Sequence, residues 1–147
     1  MKRLLVIGGD GFIGRVLCRV ARTHGVEVIA AVRGRPDANS TERHVDITDP
    51  GGVRRLLSDA DPDAVVCLAA HGAADRGLLA GAEADPVRAV DVNVRGVAIL
   101  LREAAAAGCV HAVLASSTTV YGPASCYSER RVGEQVPLLP GTVYGGT

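Results

Sequence analysis

A run of four apolar residues, Leu4-Leu5-Val6-Ile7, leads straight into Gly8-Gly9-Asp10-Gly11-Phe12-Ile13-Gly14, and a second apolar stretch follows at helical spacing. This order constrains the fold more than any other feature of the chain. An apolar run of this kind reads as a strand buried on both faces. The glycines allow backbone that other residues avoid and remove the Cβ where a ligand approaches. Two spacings are satisfied at once. Gly9, Gly11 and Gly14 fit G-x-G-x-x-G, and Gly8, Gly11 and Gly14 fit G-x-x-G-x-x-G. Both place uncapped helix amides, and the positive end of a helix dipole, beside the turn. Between a strand and a helix, the motif predicts a cradle for a dinucleotide pyrophosphate. The bland alternative is a glycine-rich turn with no ligand.

The remaining pattern alternates strand and helix. Ile13, Val16, Leu17 and Val20 recur at helical spacing from Phe12 to about Thr23, and Gly25 is placed to end that helix. Val26 to Val32 read as the second strand and Val45-Asp46-Ile47 as a short third one. Asp49-Pro50 opens a helix as cap and first residue, and Pro62-Asp63 breaks it. Ala64 to Ala69 form a fourth strand, followed over 71–85 by a loop with room for a short turn of helix. Asp85-Pro86 repeats the cap-plus-proline start. Val87, Val90, Val94, Val97, Leu101 and Ala104 then predict one long helix, ended by Gly108. His111 to Ser116 read as the fifth strand, and the chain is loop-like from Tyr121. Such alternation implies right-handed crossovers and a parallel sheet covered on both sides. The predicted fold is a Rossmann-type doubly wound α/β domain over residues 1–147. Its ligand crevice lies at the carboxyl ends of the first and fourth strands. The glycine turn, Leu68 to His71 and Ser116 to Thr118 are expected there.

Composition narrows the function. Formal net charge is zero and aromatics are 3%, so neither nucleic acid nor an anionic membrane is favoured as a partner. No apolar run approaches the ~20 residues of a membrane helix. Cys18, Cys67, Cys109 and Cys126 are scattered and form no C-x-x-C pair, which suits reduced thiols in a cytoplasmic protein and predicts no metal site.

The end of the second strand is where a carboxylate holds the ribose of NAD. Here it reads Ala31-Val32-Arg33, and no acid occurs until Asp37. Arg33 and Arg35 suit a 2′-phosphate, which a guanidinium meets with charge and paired donors. NADP is therefore favoured over NAD, the alternative being two solvated loop charges. Asp46 offers an acceptor to an adenine amino group, or is a turn residue. Ser116-Ser117-Thr118-Thr119 sets several hydroxyls beyond the fifth strand. Tyr144 stands in the final segment, either functional or an ordinary tyrosine.

Taken together, GGDGFIG, Asp46-Ile47-Thr48-Asp49, Leu68-Ala69-Ala70, Asn93 with Gly96, SSTTVYG and PLLPGTVYGGT resemble the extended short-chain dehydrogenase/reductases. Within them the chain is most similar to the NAD(P)-dependent nucleotide-sugar epimerases and dehydratases. The resemblance implies that Gly8, Gly11 and Gly14 form the cofactor turn, with Phe12 and Ile13 donating amides to pyrophosphate. It implies that Asp46 and Ile47 flank adenine, that Leu68, Ala69 and Ala70 line the cofactor by backbone, and that Asn93 lies near the active site. Ser117 falls at the catalytic serine/threonine with Thr118 beside it, and Tyr144 at the tyrosine of the Y-x-x-x-K motif. A sugar nucleotide is the implied substrate, by hydride transfer, and a homodimer the implied assembly. The motif's lysine would be residue 148, so the 147 residues are expected to be an N-terminal portion that is inactive alone. A module that binds NADP(H) without chemistry is the alternative reading.

Overall fold

The computed structural model describes residues 2–34, 41–72, 77–128 and 131–147. Arg35 and Asp37 lie outside the described residues, as does part of the expected 71–85 loop. In chain order the main elements are β1 (Arg3–Ile7), α1 (Phe12–Thr23), β2 (Glu27–Val32), β3 (Arg43–His44), α2 (Pro50–Ala60), β4 (Ala64–Cys67), α3 (Gly77–Ala84), α4 (Pro86–Val90), α5 (Val97–Ala106), β5 (His111–Leu114) and α6 (Val143–Gly146). They fall into two compact units. The first is Met1–Ala69 with Val94–Ala115, and the second is Ala70–Asn93 with Ser116–Thr147.

The first unit holds a five-stranded sheet of order β3-β2-β1-β4-β5, parallel throughout. The order reverses between β1 and β4, so a crevice opens at their carboxyl ends. Alternation along the strands sorts the side chains. Leu4, Val6, Ala30 and Ala64 form one face with Cys18 of α1, and Leu17 and Ala21 close over it. Leu5 and Ile7 take the other face and are buried. Each fully buried side chain of this size stabilises by about 1.5–3 kcal/mol. Helices α2 and α5 pack on each other. Glu103 of α5 is buried there, and its carboxylate accepts from Arg54 Nε at 2.8 Å and Arg102 Nη2 at 2.6 Å. These guanidiniums, Arg54 first, hold Glu103 down at about 2.

The local signals work as their chemistry requires. Helix α1 ends with Gly25 at φ +74°, its N–H on the Arg22 carbonyl and that of Val26 on Ala21. Asp49 caps α2 through Gly51 N–H at 3.0 Å, ahead of Pro50. The helix stops at Ala60, because Asp61 turns left-handed (φ 42°) and Pro62 bars a further helical residue before it.

Four expectations need correction. The expected loop over 71–85 carries an eight-residue helix, α3, at Gly77–Ala84. The third strand lies at Arg43–His44, immediately before the apolar Val45-Asp46-Ile47. Val45 and Ile47 are buried, but only 43–44 pair in register with Ala31–Val32. The long helix is interrupted: Asp91–Gly96 is a turn of π-helix between α4 and α5. The sheet is not covered everywhere, since all four residues of β5 are exposed.

In the second unit α3 packs against α4 and α6. Asp85 caps α4 through the Arg88 N–H at 3.0 Å. A 3-10 turn, Thr118–Tyr121, follows Ser117 and supports α6. The chain beyond it is tied back: the Tyr127 hydroxyl shares its one proton between the carbonyls of Tyr121 and Pro137. Leu139 N–H reaches the Val120 carbonyl at 3.1 Å.

Candidate functional site

In the first unit the glycine turn hangs from the sheet. The N–H groups of Gly8 and Gly9 donate to the Ala31 carbonyl at 2.8 and 3.2 Å, and Gly11 N–H donates to the Gly8 carbonyl at 3.1 Å. Gly8 has φ +82°, and a Cβ on it would lie 3.1 Å from Leu68 C and Ala69 N. The turn is thereby pressed against the backbone leaving β4. Gly14 closes it from the helix side, where a Cβ would lie 2.2 Å from the Gly8 carbonyl oxygen. Gly9 is equally confined, 2.7 Å from the Ala30 Cβ. Only glycine permits this packing.

The product is an open helix start. Gly11 is the N-cap of α1 and no side chain caps it. The first-turn amides, including those of Phe12 and Ile13, have no partner within the helix. Both residues are exposed, at 91% and 61%. A cradle without Cβ atoms under a set of uncapped amides fits a pyrophosphate.

Around this turn the first unit gathers most of the expected cofactor residues. Arg33 is exposed immediately after β2. His44 Nδ1 lies 3.1 Å from the carbonyl of Gly34, which holds the backbone just past Arg33. Asp46 Oδ1 accepts from the N–H and hydroxyl of Thr48 at 2.9 and 2.7 Å, so this carboxylate also shapes its own turn. Ile47 is buried at 6% exposure. Leu68 and Ala69 are half-buried. Cys18 and Cys67 are free thiols that burial pushes up.

The second unit carries the other candidates: Ala70, Asn93, Ser117, Thr118 and Tyr144. Ser117 caps its 3-10 turn, and its Oγ accepts from the N–H and hydroxyl of Thr119 at 3.2 and 2.9 Å. With both contacts accepted, what Ser117 retains to offer is its proton. Thr118 is exposed. The turn holding Tyr144 rests on this one, since Gly145 is buried with its Cα facing the Thr119 carbonyl, 2.6 Å from where a Cβ would sit. Its start is pinned by Thr142, which caps Gly145 N–H at 3.0 Å, and by Glu83, which accepts from Val143 N–H at 2.8 Å.

Asn93 sits inside the π-turn. Its Oδ1 accepts from the His71 N–H at 2.8 Å and its Nδ2 donates to the Thr147 hydroxyl at 2.9 Å. One extra residue per turn rotates the side chains before it by about 100° relative to those after. Sequence reading missed Thr119 and Glu83 as supports of Ser117 and Tyr144. The Ser-x-Thr spacing carried a signal for the first. Glu83 had none, as its partner is sixty residues away.

Residues 4–147 match the NAD dependent epimerase/dehydratase family. A UDP-glucose 4-epimerase of Oryza sativa subsp. japonica is 34% identical over 99% of this chain and 42% of its own length. A dTDP-4-dehydrorhamnose reductase of Streptomyces griseus is 36% identical over 99% of this chain and 42% of its own. Among solved structures, Thermus thermophilus UDP-glucose 4-epimerase in complex with NAD superimposes with a TM-score of 0.82 at 28% identity, over 98% of this chain and 46% of that one. The chain belongs to the NAD-dependent epimerase/dehydratase family and spans less than half the length of these relatives.

Proposed function

We propose that these residues supply the cofactor cradle and two reacting side chains of an enzyme that moves hydride to and from a sugar nucleotide. The observation that carries the reading is the seating of the Tyr144 turn on the turn capped by Ser117. Gly8, Gly11, Gly14 and the amides of Phe12 and Ile13 hold the pyrophosphate. Asp46 and Ile47 flank adenine, Leu68, Ala69 and Ala70 line the cofactor, and Asn93 fixes backbone near the reacting groups. A nicotinamide held there would supply hydride transfer to and from the sugar carbon. Ser117 donates a hydrogen bond to the sugar oxygen, Thr118 borders it, and the Tyr144 oxygen removes its proton as the carbon is oxidised. A tyrosine ordinarily titrates near ~10, so this role calls for a cation that favours phenolate.

The chain's single lysine is Lys2, just before β1 at the opposite end of the strands from the crevice. The 147 residues alone are therefore expected to bind cofactor without turning over substrate. That same observation favours the second reading, a module that binds NADP(H) without chemistry.

Arg33, with no carboxylate at the end of β2, makes NADP the favoured cofactor. Four free thiols suit a reducing cytoplasm. Val94 and Leu101, seven residues apart and exposed at 46% and 38%, offer an apolar stripe for a homodimer.

The test is turnover of UDP- and dTDP-sugars by the gene product that carries these residues. Ser117→Ala and Tyr144→Phe should each lose about 100-fold or more with cofactor affinity kept. Unchanged turnover in Tyr144→Phe overturns the assignment. Tight cofactor binding with no turnover of any such sugar selects the non-catalytic reading.

A further inference from the structure

Between the turn capped by Ser117 and the turn that carries Tyr144, the chain runs out and comes back, and the two ends of this excursion touch. On the outgoing side, Gly122 N–H closes the 3-10 turn on the Thr119 carbonyl at 3.3 Å. Gly122 has φ +69°, and a Cβ on it would stand 2.0 Å from the Leu139 carbonyl oxygen. On the returning side, Leu139 N–H donates to the Val120 carbonyl at 3.1 Å. A Cβ on Gly141 would lie 3.5 Å from Pro123 Cδ. Residues 120–123 and 139–141 therefore lie side by side and form a neck. One side chain from within the excursion reaches back to it. Tyr127 is half-buried, and its hydroxyl lies against the Tyr121 carbonyl on the outgoing side and 2.9 Å from the Pro137 carbonyl on the returning side. Burial pushes this phenol up, which keeps its proton in place at neutral pH.

We propose that Tyr127 is a positioning residue that holds the Ser117 and Tyr144 turns at one spacing. It acts through backbone. The outgoing side of the neck is the end of the turn that Ser117 caps, and Thr142, three residues past Leu139, opens the turn of Tyr144. A neck that spreads lets the second turn lift from the Thr119 carbonyl, against which Gly145 is packed without a Cβ.

The effect on rate rests on the catalytic reading, whereas the seating of the turns is measured without it. Amide exchange is followed by NMR in the 147-residue chain as wild type, Tyr127→Phe and Asp63→Ala. Asp63 accepts from the N–H groups of Lys2 and Arg3 at 2.5 and 2.8 Å in the first unit, so its loss destabilises the fold away from the neck. Tyr127→Phe keeps the ring and removes one shared hydrogen bond. Exchange should quicken about three- to tenfold at Leu139 and also at Gly146 and Thr147, with β1 and β4 unchanged. In the gene product that carries these residues, kcat for a UDP- or dTDP-sugar should fall by a similar factor with cofactor affinity kept, and Asp63→Ala should keep kcat. Exchange that quickens at Leu139 alone, or nowhere, overturns the proposal. So does unchanged kcat with both turns loosened, which leaves the roles of Ser117 and Tyr144 standing. An equal loss of kcat in Asp63→Ala reduces Tyr127 to general stability and also overturns it. Both turns loosened in a product that turns over no such sugar upholds the seating and defeats the catalytic reading.

Discussion

Replacing Gly14 by alanine tests how the cradle is built. The added Cβ would stand 2.2 Å from the Gly8 carbonyl oxygen, 2.8 Å from Gly9 Cα and 3.0 Å from Gly8 C. Ordinary contacts of this type begin near ~3.4 Å, so the turn and helix must part by about 1 Å. All three neighbours are backbone, and no side chain can swing aside. The strain should destabilise the fold by about 1–3 kcal/mol. The same displacement moves the Phe12 and Ile13 amides off the pyrophosphate, and two charge-assisted hydrogen bonds are worth about 3 kcal/mol or more together. Cofactor affinity should therefore fall by about 100-fold or more. Urea unfolding measures the first effect and calorimetric titration with NADP and NAD the second. Gly133→Ala is the control, since a Cβ there meets nothing within 4 Å and its φ is ordinary. Wild-type affinity and stability in Gly14→Ala would refute the reasoning. A stability loss with unchanged affinity would refute the cradle assignment alone.

Two further outcomes follow from the packing. Asn93→Ala removes the acceptor of the half-buried His71 N–H and the donor to Thr147. It should cost about 1–3 kcal/mol in urea unfolding, and a midpoint within error of wild type would count against the π-turn anchor. Glu103, held at about 2 against an ordinary 4.5, binds its proton less readily folded than unfolded. Its contribution is thus present above about 4.5 and is lost as pH falls from there toward 2. In thermal melts Glu103→Gln should differ from wild type most near neutrality and converge with it in acid. A difference that stays constant from pH 7 to 2 would contradict this.

What the sequence determined by itself is the part whose chemistry is local. Glycine at 8, 11 and 14 sets the turn, because freedom at φ and absence of Cβ act within a few residues. Asp49-Pro50 and Asp85-Pro86 announced two helix starts, because a cap bonds an amide two or three positions on. The apolar runs named every strand except β3, which is the polar Arg43–His44, while the buried Val45 adds only its N–H, on the Val32 carbonyl at 2.9 Å. Arg33 is legible as a basic residue where a carboxylate is expected, and the order of motifs marks Ser117 and Tyr144 as candidates.

Tertiary structure decided the rest. The π-turn at Asn93 is held by partners 22 and 54 positions away, and a helical repeat of valines carries no trace of them. Glu103 reads as a solvated helix charge until α2 brings Arg54 onto it. A cavity beside the glycine turn brings Gly9 and Arg15 together with Glu42, more than thirty residues away from Gly9, and no local pattern announces that meeting. Signals written within a turn of helix survive in one dimension. A cavity or a buried ion pair depends on which distant elements meet, and that follows only from the packed chain.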